Sequence, residues 1–145
     1  MNASQVQLVQ DTFAKAATLG DQVAEIFYDE LFEIDPSLRA MFKAPMAEQG
    51  KKLLGTLAFV IGSLHEPEKI LGPARELAVK HLDYGVEARH YTPVGNALLR
   101  TLQKGLGEDF TPEVRAAWVA AYQVLADEMR EAAYGADGWR RKGAA

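Results

Sequence analysis

The sequence has no cysteine, and this one absence removes disulfides, zinc–thiolate centres and thiol nucleophiles from the chemistry open to it. Histidine is scarce: His65, His81 and His90 are too scattered to give the ligand spacing of a zinc site. No apolar run approaches the roughly 18 residues of a membrane span. The N-terminal MNASQVQLVQ has neither a basic nor an apolar leader segment, so a cytoplasmic protein with no membrane partner is expected. Positive charge is also short. Lys and Arg number 16 against 20 Asp and Glu, a formal net charge of −4 that supplies no overall field for nucleic acid. A nucleophile elbow, a phosphate-cradling glycine loop, an HExxH pair and an EF-hand loop are all missing. The carboxylates Glu30 and Glu33 fall where a solvated helix face would put them. Conventional hydrolase, nucleotide-enzyme and calcium-sensor readings therefore have no residues to support them.

What remains is a chain of 145 residues, 48% hydrophobic and 25% charged, long enough for one domain with a continuous core. A single domain over 1–145 is expected, with DGWRRKGAA at about 136–145 as a flexible basic tail. Apolar residues recur at spacings of three and four throughout, without a convincing alternating strand. Val6, Val9 and Phe13 mark a first helix, with Ser4 as its N-cap. Val23, Phe27, Leu31 and Ile34 mark a second, which ends before Pro36; Asp35 then caps a short helix through Phe42. Leu53, Leu57 and Leu64 run along a helix from about Ala47 to Leu64. HEPEK breaks the pattern, and LGPARELAVKHL restarts it. Tyr91, Val94, Leu98 and Leu102 line the next helix, with Pro93 in its first turn. Thr111 and Pro112 open a last helix through Val114, Trp118, Leu125 and Met129. The fold class is all α, with about seven helices.

His81 shares one helical side with Ala74, Leu77, Ala78 and Leu82, so its imidazole faces inward. An inward histidine is either a satisfied core residue or a ligand, and spacing alone does not separate the two. His65 sits at a helix end beside Glu66 and Pro67, where solvent surrounds it. His90 precedes the inward Tyr91 and so points elsewhere. Tyr28 and Gln49, taken singly, read as a half-buried tyrosine and a surface amide.

IFYDELFEIDPSLRAMF, MAEQGKKLLGTL, ELAVKHLDYGVEARHYTPVGNALL and LGEDFTPEVRAAWVAAYQVLA, in this order and at consistent spacing, resemble successive helices of the bacterial single-domain globins and of the globin domain of flavohaemoglobins. The resemblance covers about residues 5–134 and implies a globin fold enclosing a haem b pocket. It makes His81 the proximal iron ligand, with its Nδ1–H expected to find a backbone carbonyl one turn back, near Leu77 or Ala78. On the distal side it implies Tyr28 and Gln49 as hydrogen-bond donors to a bound gas, with Leu53 as the apolar wall. Phe42 matches the aromatic that packs on the haem face. Leu57, Val86, Val94 and Leu98 complete the wall. Lys52 and Lys80 either approach the haem propionates or are simply solvated. Tyr91 matches a tyrosine that, in flavohaemoglobins, buttresses the proximal histidine together with a glutamate. At the glutamate's position this chain has Ala133, a departure that argues against a strong proximal pull.

The function so implied is reversible binding of O2, and also of CO and NO, for oxygen transport or storage. An alternative is oxidation of NO by bound O2, as in flavohaemoglobins. Their reductase modules need about 200 further residues, and this chain ends soon after its last helix, so turnover is expected to need a separate reductase. A third reading, a haem-based gas or redox sensor, needs an output partner.

Overall fold

The computed structural model describes residues 2–43, 45–66, 68–83 and 87–134. Among them are six α-helices: α1 (Ala3–Ala17), α2 (Asp21–Ile34), α3 (Met46–Gly62), α4 (Glu68–Asp83), α5 (Tyr91–Leu106) and α6 (Pro112–Tyr134). A 3-10 helix of 6 residues, Pro36–Met41, follows α2 and brings the principal helical segments to the expected seven. Single 3-10 turns at Ala88–His90 and Gly107–Asp109 lead into and out of α5. No strand occurs among the described residues. The basic tail and Val86 lie outside them.

Several helix ends follow directly from side-chain chemistry. Asp35 caps the 3-10 helix by accepting from the Ser37 amide at 3.1 Å, and Pro36 takes the first position, where no amide proton is needed. Thr111 Oγ1 accepts from the Val114 amide at 3.2 Å at the start of α6. Pro93 sits in the first turn of α5, as expected. Two expected starts are corrected. The cap of α1 is Asn2, not Ser4: the Asn2 side chain accepts from the Gln5 amide at 2.8 Å while the Gln5 side chain accepts from the Asn2 amide at 3.1 Å, a reciprocal pair. α4 begins at Glu68, ahead of the LGPAR restart, which leaves Pro73 inside the helix. An interior proline costs about 3 kcal/mol. The earlier start buries Ile70 beside Ala74 and Ala78 against Ala126 and Met129 of α6, a contribution of about 1.5–3 kcal/mol that offsets much of that cost.

The helices pair so that α2 lies along α5, and α1 and α4 lie along α6, while α3 rests on α2 and α1. α1 is tied to α6 through Trp118, whose indole N–H donates to Thr12 Oγ1 at 2.8 Å inside the core. The hydroxyl of Thr12 in turn donates to the Leu8 carbonyl at 2.6 Å, so both buried polar groups are satisfied. α2 crosses α3 closely enough that a Cβ on Gly50 would stand 2.9 Å from the Ala24 Cβ. α5 and α6 meet where the Tyr122 ring covers Gly95, with the Tyr122 hydroxyl donating to the Tyr91 carbonyl at 2.6 Å.

Two polar residues depart from expectation. Glu30 is buried, not solvated: Lys104 and Arg100 of α5 reach across to it, the latter at 3.4 Å. Their approach, the Lys104 hydrogen bond foremost, holds its carboxyl below the ordinary carboxylate range against the opposing effect of burial. His90 is buried as well, and its Nδ1 accepts the Glu87 amide at 2.9 Å.

Two glycines of α3 should respond to alanine with opposite signs. A Cβ added at Gly55 would meet nothing within 4 Å, so Gly55→Ala should raise unfolding free energy by about 0.5–1 kcal/mol. Gly50→Ala should lower it by up to about 2 kcal/mol, because overpacking against Ala24 outweighs the same backbone gain; equal signs in urea denaturation would contradict the pinch. Glu30→Gln should be less stable than the parent chain at pH 7. A depressed folded pKa contributes stability above the unfolded value of about 4.3 and loses it as pH falls through the folded one, so the difference should shrink below about pH 4.3 and close only below the folded pKa.

Candidate functional site

His81 lies near the end of α4, with its ring half-buried. Its Nδ1 stands 2.7 Å from the Leu77 carbonyl oxygen, the i−4 group of its own helix. A carbonyl can only accept, so Nδ1 carries the proton and Nε2 is left with its lone pair. Burial pushes the imidazole pKa down, and the Leu77 bond opposes it only in part. The result is a neutral ring of fixed tautomer and orientation with its distal nitrogen available, the condition a histidine must meet to bind a metal ion.

α3 is the other helix with an incompletely covered apolar stripe. α4 is spoken for by α6 and α3 by α2 and α1, and among the described residues α3 and α4 make at most glancing contact with each other. The α3 stripe at spacings of three and four holds Gln49, Leu53, Leu57, Val60 and Leu64. Leu53, Leu57 and Leu64 pack on the main core yet are only half-buried, and so are Phe42 before α3 and Val94 of α5. Leu98 is buried in the same cluster. Half-covered apolar side chains on α3 and α5, and a neutral imidazole on α4, are the groups that a flat apolar macrocycle carrying a metal would need. Among the described residues no three His, Asp or Glu side chains converge on a metal-binding point. Lys52 and Lys80 are exposed, one on each of the facing helices.

Tyr28 of α2 is 8% exposed and its ring meets Phe42 edge-on at 5.3 Å and Phe27 at 5.2 Å. Its hydroxyl donates to the main-chain oxygen of Gln49 at 3.3 Å. Burial pushes its pKa up to about 12, so the phenol keeps its proton and remains a donor. The Gln49 side chain is half-buried at the start of α3. The structure therefore joins Tyr28 to Gln49 through the backbone, a link invisible in the side-chain pattern.

On α5, Tyr91 is buried in the cluster formed by Val60, Ile70, Ala74, Ala78, Ala126 and Met129, and Leu77 and Ala133 pack at its edge. The Arg130 guanidinium lies 5.3 Å over the centre of the Tyr91 ring. The sequence signals for Arg130 and Tyr122 are faint: their spacing on α6 and the matching Gly95 on α5 are all that could point to them. His65 is exposed and its Nε2 pairs with Gln10 Oε1 at 3.0 Å, and His90 is engaged by Glu87. Neither shares the surroundings of His81.

Comparison with known proteins agrees with this architecture. The globin family profile matches residues 25–129. A flavohemoprotein from Xylella fastidiosa is 30% identical over 129 residues, covering 87% of this chain and 32% of that protein. One from Bordetella pertussis is 33% identical over 123 residues, covering 83% and 31%. The chain thus spans about a third of the length of these relatives. Among solved structures, a bacterial globin from Campylobacter jejuni superposes with a TM-score of 0.76 at 22% identity, covering 99% of this chain and 100% of that one. An engineered carbene transferase from Rhodothermus marinus superposes with a TM-score of 0.82 at 24% identity, covering 99% of both. The helical order, the parted α3 and α4 and the match over most of its length make this chain a member of the globin family.

Proposed function

We propose that this chain is a single globin domain that holds haem b through His81 and binds O2 reversibly, along with CO and NO. The observation that carries the reading is the His81 ring on α4, neutral and oriented by the Leu77 carbonyl so that Nε2 keeps its lone pair. Phe42, Leu53, Leu57, Val94 and Leu98 would enclose the macrocycle, with Val86 as a further wall residue, while Lys52 and Lys80 would meet its propionates. Haem supplies a ferrous centre with an open position for a diatomic gas. The chain's own work is to hold that centre, exclude water with its leucine wall and present a protonated donor from the Tyr28 hydroxyl, seconded by the Gln49 amide. Tyr91, with Arg130 over its ring, would back His81, and Ala133 at the position of the flavohaemoglobin glutamate would leave the imidazole without a push toward imidazolate.

Oxygen binding, transport or storage is the role this arrangement supports best. Similarity to the globin portion of flavohemoproteins favours a second reading, oxidation of NO with electrons from a separate reductase. Rapid mixing of the O2-loaded protein with NO, followed by candidate reductants, separates the two: fast oxidation without fast re-reduction indicates binding rather than turnover.

His81→Ala should lose haem unless imidazole is supplied, whereas His65→Ala should keep a normal ferrous spectrum. His90→Ala should keep it too, at reduced stability, because the Glu87 amide loses its acceptor. A normal spectrum in His81→Ala without added imidazole would overturn the assignment. Tyr28→Phe should speed O2 release by about tenfold. A donor to a charged acceptor is worth about 1.5–3 kcal/mol, but the hydroxyl falls back on Gln49 when the ligand leaves, which recovers about 0.5–1.5 kcal/mol. CO, with less charge on its outer atom, should respond much less; equal factors for the two gases would point to packing instead of hydrogen bonding.

A further inference from the structure

A groove of about 650 Å³ opens beside the α2–α3 crossing. Its floor is small: Ala24 on α2, and Ala47 and Gly50 on α3, next to the pinch where Gly50 meets Ala24. Tyr28 lines the same groove, and its ring also meets Phe42 edge-on, so one aromatic side chain stands between the groove and the apolar space that Phe42 borders. A single hydrogen bond to the Gln49 main-chain oxygen, at the long end of the useful range, fixes its hydroxyl.

Negative charge predominates at the mouth. Asp21, Glu25 and Asp29 are exposed along the α2 wall, and the facing cation, Arg39, is stacked 5.3 Å over the Phe32 ring. A low-dielectric groove under three carboxylates repels anions and is indifferent to neutral diatomic molecules.

We propose that this groove is a passage by which neutral gases reach the space beyond Tyr28, with the acidic rim as a filter against anions. The inference rests on the haem reading above. It carries a kinetic signature, because a passage changes how fast a ligand comes and goes but not how tightly it is held. Narrowing it must slow association and dissociation by one common factor.

The test uses the haem-loaded protein and CO after flash photolysis. Ala47 is exposed, so Ala47→Trp fills the groove without entering the core. Association should slow at least threefold, dissociation should slow equally, and the equilibrium constant should stay unchanged. Ala58→Trp, exposed elsewhere on α3, should match the parent chain. Where Ala47→Trp does not take up haem, Ala47→Leu gives the same comparison. Reversing the rim with Glu25→Lys and Asp29→Lys should accelerate azide binding to the ferric protein at least threefold at low salt, with the gain vanishing at high salt and CO unaffected. In the diamagnetic CO form, dissolved xenon should shift the amide resonances of Ala24 and Ala47, and Ala47→Trp should abolish those shifts. A CO rate indifferent to Ala47→Trp in a haem-loaded protein overturns the passage alone, as does a changed rate with changed affinity. Azide rates indifferent to the rim overturn the filter. A parent chain that takes up no haem overturns the haem reading itself.

Discussion

The arrangement depends on one steric constraint: α3 and α4 are each committed mainly to other helices and meet only in the cluster where Val60 joins Ile70, Ala74 and Ala78. α3 is pinned to α2 where Gly50 meets Ala24, and α4 is pinned to α6 through Ile70, Ala74 and Ala78. Were the two free to collapse together, Leu53, Leu57 and Leu77 would complete an ordinary core and His81 would be one more satisfied imidazole. Held apart, they leave apolar side chains half covered and a nitrogen lone pair without a partner on its own helix. The proposed haem site would relieve that incomplete packing.

The same pinch organises the distal side. Because α2 approaches α3 so closely, Tyr28 one turn beyond Ala24 reaches the first turn of α3 and finds the Gln49 carbonyl, one of the backbone acceptors near the helix start. Burial that keeps the phenol protonated also keeps it a donor, and its aromatic and backbone neighbours hold it within reach of whatever stands below Phe42.

Legibility in the sequence follows the range of the interaction. His81 is readable because its stripe of Ala74, Leu77 and Ala78 is local, and its bond to Leu77 lies within one turn. The caps at Asp35 and Thr111 and the placement of Pro93 are readable for the same reason. Glu30 misleads because periodicity assigns a carboxylate to solvent, whereas its partners Arg100 and Lys104 come from a helix some 70 residues away. His90 misleads because burial at a 3-10 turn follows no helical period. Pro73 reads as lying near a helix start because the burial of Ile70 that extends α4 depends on α6. The Tyr28–Gln49 link escapes since it runs to the main chain, and Arg130 over Tyr91 because a cation above a ring leaves no mark in spacing.

The central claim is that His81, through Nε2, is the one protein ligand to a haem iron in this slot. Resonance Raman spectroscopy of the ferrous, haem-loaded protein, with and without 15N-labelled histidine, tests it most directly. The account predicts a five-coordinate spectrum with one iron–histidine stretching mode that moves to lower frequency on labelling and is absent from His81→Ala. A six-coordinate bis-histidine spectrum, or a labelled mode that survives in His81→Ala, would contradict it.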